Sequence, residues 1–433
     1  MTSAATPSPP NTSTTLASAS RWWIFPLAVW IASRIWTISA LYVGAAFWPV
    51  QTDFKDVNPH AGTYENLEDY YRNYAQNMPK YGRYPMLGIK PGGRWESLSP
   101  FVHWDTLWYL SVVEVGYRAD PKLPIQQNVA FFPGFPLAIR AMQSIGLPVI
   151  PSAILLSNLA TLAAGCLLYR YASRVFGEPS ARWTLLLWQF YPMGFFGSVP
   201  YADPFLAIGI IGALSAAQQE NYRLAGVWGG IATAFRPPAV ALAGLFIPVL
   251  SSRPWNRDKA VRAFVGLALT GVGVAAYFAY LGYVFGDPLL YLHVSWYDPP
   301  KMSGLNPVRW LITLLAGVLN VIKLLTNSDS PPLELYSGRI ADPLLYLWAL
   351  MWLPSIRKLG TGVLLFAMVS FLLPLMTLET VASYGRYIWC IIPVFLVAGN
   401  KIGGKESGWV TLVIFAAGQF VLAMWFGGGW VVI

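Results

Sequence analysis

The stretch LAGVWGGIATAFRPPAVALAGLFIPVL, residues 224–250, decides the fold. It carries one charged side chain, Arg236, and is longer than the ~20 apolar residues that cross a bilayer. Pro237 and Pro238 follow that arginine directly, and two prolines cannot continue a regular helix. The stretch therefore predicts two short helices meeting at Phe235-Arg236-Pro237-Pro238, entering and leaving from the same side of a membrane. Similar apolar blocks lie at 22–49, 151–176, 182–198, 202–219, 261–284, 341–356, 360–377, 384–399 and 408–426. Over 433 residues, 55% are hydrophobic and 11% charged, against roughly a quarter charged in ordinary globular proteins. So few charges cannot cover a soluble surface. The chain reads as an all-α polytopic integral membrane protein with about eleven transmembrane helices, two of them short. A soluble enzyme, a secreted disulfide scaffold and a disordered chain are excluded.

The net charge of +9, from 29 Lys and Arg against 20 Asp and Glu, does not indicate nucleic acid, because the basic residues sit between apolar blocks. Arg170, Arg174 and Arg182 mark one turn, Arg223 another, and Arg253, Arg257, Lys259 and Arg262 a third. Arg357 with Lys358 and Lys401 with Lys405 complete the set. The positive-inside rule makes these turns cytoplasmic, held against anionic lipid. Residues 1–20 contain no charged side chain and lack the basic and apolar regions of a signal peptide, so they read as a disordered cytoplasmic tail. Residues 21–433 then form one membrane domain, with an external loop over 50–128. Its span Gln51–Gln127 holds nine carboxylates and eight Lys or Arg, and a loop of that length usually carries function. The other external stretches are Val199–Asp203, Phe285–Arg339 and Thr377–Tyr384, with Asn306–Leu325 as a helix lying on the membrane surface. Cys166 and Cys390 both fall inside apolar segments, so neither a disulfide framework nor a cysteine metal site is expected.

The distinctive polar residues gather on the external face. The long loop ends in Phe101-Val102-His103-Trp104-Asp105, and residues 106–118 predict an interfacial helix with aromatic anchors. Asp105 at its start is a helix cap, a functional carboxylate, or both. Asn128 to Leu137 places two prolines and a glycine in an aromatic run, which suits an irregular membrane entry, a re-entrant helix or a Pro-bent core segment. Asp203 in Tyr201-Ala202-Asp203-Pro204 either begins a helix or supplies a second carboxylate. Arg236 costs roughly 2.5–3.5 kcal/mol in mid-block, so it faces a cavity or partner, a structural ion pair included. Arg386 in Ser383-Tyr384-Gly385-Arg386-Tyr387 reads as a site residue or a snorkelling one. His293, within Gly286–Trp296, is a ligand-facing donor or an interfacial polar residue. Tyr64, Tyr70, Tyr71, Tyr74, Tyr81 and Tyr84 suit an acceptor glycan or surface packing. Guanidinium groups match phosphate oxygens in pairs, aromatic faces stack on sugar rings, and a carboxylate deprotonates an attacking hydroxyl. Together they describe sugar transfer from a lipid-phosphate donor.

Trp104-Asp105 with Trp108-Tyr109-Leu110 and Gly116-Tyr117, followed by Ala130-Phe131-Phe132-Pro133-Gly134-Phe135-Pro136-Leu137, resembles the glycosylphosphatidylinositol mannosyltransferase II family of GT-C membrane glycosyltransferases. Weaker echoes are Phe195-Phe196 with Tyr201-Ala202-Asp203, Ala234-Phe235-Arg236-Pro237, and Ser383-Tyr384-Gly385-Arg386-Tyr387. Residues 51–100 have no counterpart there, and the family's usual Ser-Glu is here Ala202-Asp203, a shorter carboxylate. The resemblance implies a GT-C-like bundle and an inverting transferase using a polyprenyl-phosphate sugar, with mannose as the first choice. It makes Asp105 the general base and places His103, Trp104, Asp203, Arg236, His293 and Arg386 around the substrates. Arg236 and Arg386 would stabilise the leaving phosphate. No cofactor, nucleotide or obligatory metal is implied, in keeping with the lack of Walker or Cys/His motifs. The implied partners are membrane lipids, the lipid-linked donor, and a glycolipid, glycan or protein acceptor. No Asn-x-Ser/Thr sequon lies in the external segments, which with the Ser/Thr-rich tail points to a bacterial plasma membrane protein with an external active site. The rival reading is a lipid or solute transporter or flippase. It predicts broken helices at matching positions of two related halves, whereas the one sharp break legible in the sequence is Phe235–Pro238.

Overall fold

A computed structural model describes residues 21–48, 94–119, 127–293, 337–378 and 383–429, with isolated positions 308, 312, 315 and 319. The expected tail 1–20, the tyrosine-rich part of the long loop and most of the surface helix 306–325 lie outside the described residues. All regular structure among the described residues is helical. In chain order the longer helices are α1 (Ile24–Phe47), α2 (Asp105–Val115), α3 (Gly134–Ser144), α4 (Val149–Phe176), α5 (Glu178–Gln189), α6 (Asp203–Gln218) and α7 (Tyr222–Phe235). There follow α8 (Arg257–Thr270), α9 (Val272–Phe285), α10 (Ser337–Leu350), α11 (Thr361–Leu378), α12 (Tyr384–Trp389), α13 (Ile392–Ile402) and α14 (Glu406–Gly427).

Among the described residues α1, α4 and α14 are long and apolar enough to cross a membrane, and α8 with α9, bent by 41°, makes a fourth if counted as one span. Shorter apolar helices surround them, as in a multi-pass membrane protein. The long helices pack through small residues. A methyl group on Gly44 of α1 would run into the Met424 carbonyl of α14, and one on Gly427 would strike Leu41 of α1. Lipid offers no hydrophobic force to press such helices together, so close backbone approach does it. Their outer faces expose Ile31, Ile35 and Phe47 on α1 and Val410, Val413 and Ile414 on α14.

The break foreseen at Phe235–Pro238 is present: α7 stops at Phe235, Arg236 is extended at φ −151° and ψ 133°, and a 3₁₀ stretch runs Pro237–Leu245. Other apolar blocks, expected to be continuous, are interrupted as well. Block 182–198 is helical only to Gln189 and continues as a 3₁₀ turn over Pro192–Gly197. Block 261–284 bends at Gly271, and 384–399 divides at Cys390 and Ile391 into α12 and α13. Proline after the break explains Pro192 and Pro393, since each lacks the amide a continuous helix would use.

Candidate functional site

The expected interfacial helix 106–118 is α2, 105–115, ended at Gly116 with φ 76°. Its residues from Asp105 to Val113 are buried in the protein. Its aromatic residues anchor protein rather than lipid headgroups. Trp108 stacks on Phe131 at 5.8 Å, and Tyr109 packs edge-on to Phe131 and Phe135 at 5.1 and 5.2 Å. The Asn128–Leu137 run is thereby drawn against α2 as a short 3₁₀ turn and then α3.

Asp105 does not cap α2. The helix begins with it, after Trp104, and no side chain caps that end. Trp104 is half-buried with φ 58°, a conformation a bulky residue adopts only when its surroundings hold it. The turn sends the Asp105 carboxylate to Arg386, whose Nη1 donates to Oδ2 at 2.6 Å. The Asp105 amide donates to the Tyr201 hydroxyl at 3.2 Å, and Thr106 Oγ1 to the Pro200 carbonyl at 3.4 Å.

A second pair lies beside the first. Asp203 begins α6 without capping it, and accepts from Arg236 Nη1 at 2.5 Å. Arg236 can reach because the proline break takes the chain out of helix at that residue. All four residues are buried: side-chain exposure is 4% for Arg386 and 12% for Asp105, 9% for Arg236 and 1% for Asp203. Arg386 therefore does not snorkel. The Tyr387 ring centre lies 5.5 Å from the Arg236 guanidinium and 5.8 Å from that of Arg386. Phe196 and Tyr201 also face Arg386, at 5.3 and 5.4 Å. The charges of both pairs reach Tyr109. Asp203 Oδ1 and Arg386 Nε are buried with no hydrogen-bond partner among the described residues.

Of the other expected site residues, His103 has no described contact with the pairs, and His293 lies two residues beyond Tyr291, which the charge of Arg236 reaches. His103 is buried against the end of α14, edge-on to Phe426 at 5.4 Å. Burial pushes its imidazole down to about 4, against a smaller upward pull from the Gly427 backbone. His293 closes the one-turn helix Leu290–His293. Among the described residues no cluster of three or more His, Cys, Asp or Glu could hold a metal ion.

No family model matches the chain. No curated protein matches it either. The site must therefore be read from its own chemistry.

A largely apolar groove of about 680 Å³ opens between α2, α3, α7 and α9, with none of the four paired residues in its lining. Val112, Tyr117, Leu137, Ile231 and Tyr280 line it, and it reaches Ala234, close in sequence to Arg236. Its one arginine, Arg140, is tied to the carbonyls of Val112 and Val113 at 3.0 and 3.1 Å.

Two residues passed over in the sequence belong to this region, and a third, Arg34, has no described contact with either pair. Tyr201 and Tyr387 sit inside quoted motifs but carry no charge to single them out. Arg34 was open to the cost argument applied to Arg236, since it interrupts the first apolar block. It is buried in α1, donating to Ser198 Oγ at 2.7 Å and Gln189 Oε1 at 3.3 Å, with no carboxylate on it among the described residues.

Proposed function

We propose that the protein is a membrane glycosyltransferase that moves a sugar from a polyprenyl-phosphate donor to an acceptor hydroxyl, with inversion. The observation that carries this reading is the pair of buried ion pairs, Asp105–Arg386 and Asp203–Arg236, meeting around Tyr387. Buried ion pairs add little net stability over apolar packing, so two of them at helix breaks ask for another reason. A sugar phosphodiester supplies one: its oxygens match the guanidinium fork and its charge suits two arginines. When Arg386 turns from Asp105 to the phosphate, the carboxylate is free. Asp105 then takes the proton of the acceptor hydroxyl as its oxygen attacks the anomeric carbon. The anomeric C–O bond to phosphate breaks on the opposite face, and the phosphate leaves with the electron pair, its growing charge met by Arg236 and Arg386. The apolar groove that reaches Ala234 suits the prenyl chain.

Mannose is the first sugar to test, following the resemblance to the glycosylphosphatidylinositol mannosyltransferase II family, with a glycolipid, glycan or protein as acceptor. The GT-C-like bundle of about eleven spans belongs to the same proposal, as does a bacterial plasma membrane. Orientation follows from charge. α6 runs from Asp203 to Gln218, roughly 24 Å at 1.5 Å per residue, and the turn beyond it holds the Lys259–Glu220 pair and Arg223. With that basic turn cytoplasmic, Asp203 at the other end of α6 lies toward the outside.

The test is Asp105→Asn in purified protein, given radiolabelled polyprenyl-phosphate mannose and a membrane lipid extract. Transfer should fall by about 10²-fold or more, with folding and donor binding retained. Activity within a few-fold of the unmodified protein would remove Asp105 from the reaction.

A further inference from the structure

We propose that Asp342 is a positioning residue that holds the turn from which Arg386 reaches Asp105; its consequence for turnover rests on the transferase reading above. Asp342 lies in α10 and is completely buried. Its Oδ1 accepts the Gly385 amide at 2.7 Å, and its Oδ2 is buried with no hydrogen-bond partner among the described residues. An amide in the first turn of α12 is thus held by a side chain from another helix. Ser383, the residue placed to cap α12, gives no side-chain cap and has φ 65°. A non-glycine residue keeps that conformation only where its surroundings impose it. Gly385 is required by the same contact: an added Cβ would lie 2.9 Å from Asp342 Oδ1 and 2.8 Å from Met193 Cγ.

The far end of α12 is held separately. Trp389 and Trp188 stack at 4.8 Å, and each indole donates to the other's carbonyl at 3.0 Å. With both ends of this one-and-a-half-turn helix pinned, the Arg386 backbone has one position, directly after the amide that Asp342 holds. Asp342 touches neither Asp105 nor the Asp203–Arg236 pair in any described contact, so its influence runs through Arg386. The holding is done by an accepting oxygen on a side chain of this length. Asparagine supplies that oxygen, whereas leucine does not.

The experiment uses the full chain in detergent with Asp342→Asn, Asp342→Leu and Gly385→Ala. Hydrogen exchange is followed by mass spectrometry on peptides covering 383–389, alongside transfer from radiolabelled polyprenyl-phosphate mannose. Asp342→Leu and Gly385→Ala should exchange at least about tenfold faster there and lose transfer by a similar factor. Asp342→Asn should stay within about threefold of the unmodified protein in both readouts. Unchanged exchange in Asp342→Leu, or exchange in Asp342→Asn as fast as in Asp342→Leu, overturns the proposal. If Asp342→Leu does not fold, unchanged exchange in Gly385→Ala overturns it instead. An unmodified protein without transferase activity, together with faster exchange in Asp342→Leu, would refute the transferase reading and uphold the holding role.

Discussion

Where α1 meets α14, both helices run unbroken, over 24 and 22 residues, and the contact is made by backbone against backbone at Gly44 and Gly427. At the ends of α6 and α7, and where α2 meets α12, helix gives way at Asp203, Arg236, Asp105 and Ser383, and ion pairs join the elements. Along their length α6 and α7 also pack, with Gly209 and Gly212 against Ala232 and Trp228. The first region keeps its backbone polar groups within each helix and shows apolar side chains outward. It adds neutral hydrogen bonds from Trp36 to the Ala416 carbonyl at 2.8 Å and from Thr37 to Gln419 at 3.4 Å. The second leaves helix ends inside the protein and uses them to aim side chains inward. Irregular backbone at depth is tolerated only where protein or a cavity covers it. The difference separates a scaffold from a candidate site without any appeal to sequence motifs.

The sharpest way to break this contrast is to strip one charge from the second region. Asp203→Ala leaves Arg236 buried without its counter-charge and should cost about 3–5 kcal/mol in reversible unfolding in detergent. The double change Asp203→Leu with Arg236→Met should recover most of that. A loss below about 1 kcal/mol in the single variant would mean that water reaches the pair. In the first region Gly44→Ala forces a methyl group onto the Met424 carbonyl, and overpacking of this kind should cost about 1–3 kcal/mol. No change there would show that α1 and α14 separate freely.

His103 sharpens the contrast through pH. Its folded imidazole is depressed from 6.5 to about 4, so the unfolded chain binds the extra proton between those values. Its contribution to stability is complete above pH 6.5 and declines as the pH falls toward 4. The unfolding midpoint should therefore drop more between pH 7 and pH 5 in the unmodified protein than in His103→Gln. Equal slopes would place His103 in contact with solvent. The smallest effect is expected at the basic turn. Lys259–Glu220 is a 2.6 Å pair with side chains 32% and 64% exposed, and Glu220→Gln should leave the unfolding midpoint essentially unchanged. A clear drop would mean that the turn is packed as a core.

Several features were legible in the residues themselves. Arg236 announced itself because a lone charge in an apolar block is costly wherever it lands, and the two prolines after it dictated the break. Arg34 sent the same signal from the first block. Asp105 and Asp203 were visible as carboxylates at helix starts, yet the local pattern suited a merely structural start as well, and deciding required knowing what faced them. Asp342 was hidden by its apolar surroundings and by its distance in sequence from the Gly385 amide it accepts. The bend at Gly271 and the division at Cys390 gave little warning, because glycine and cysteine in an apolar run are compatible with continuous helix.

Composition and local stereochemistry alone determined that this is a helical membrane protein, that it breaks at Phe235–Pro238, and that Arg236 needs a partner. Those properties depend on charge density, on run length and on the proline ring, all of which act on a few neighbouring residues. Only the tertiary structure decided which carboxylate each arginine meets. Asp105 and Arg386 are 281 residues apart and Asp203 and Arg236 are 33 apart. Electrostatic attraction depends on distance through space, and folding alone sets that distance.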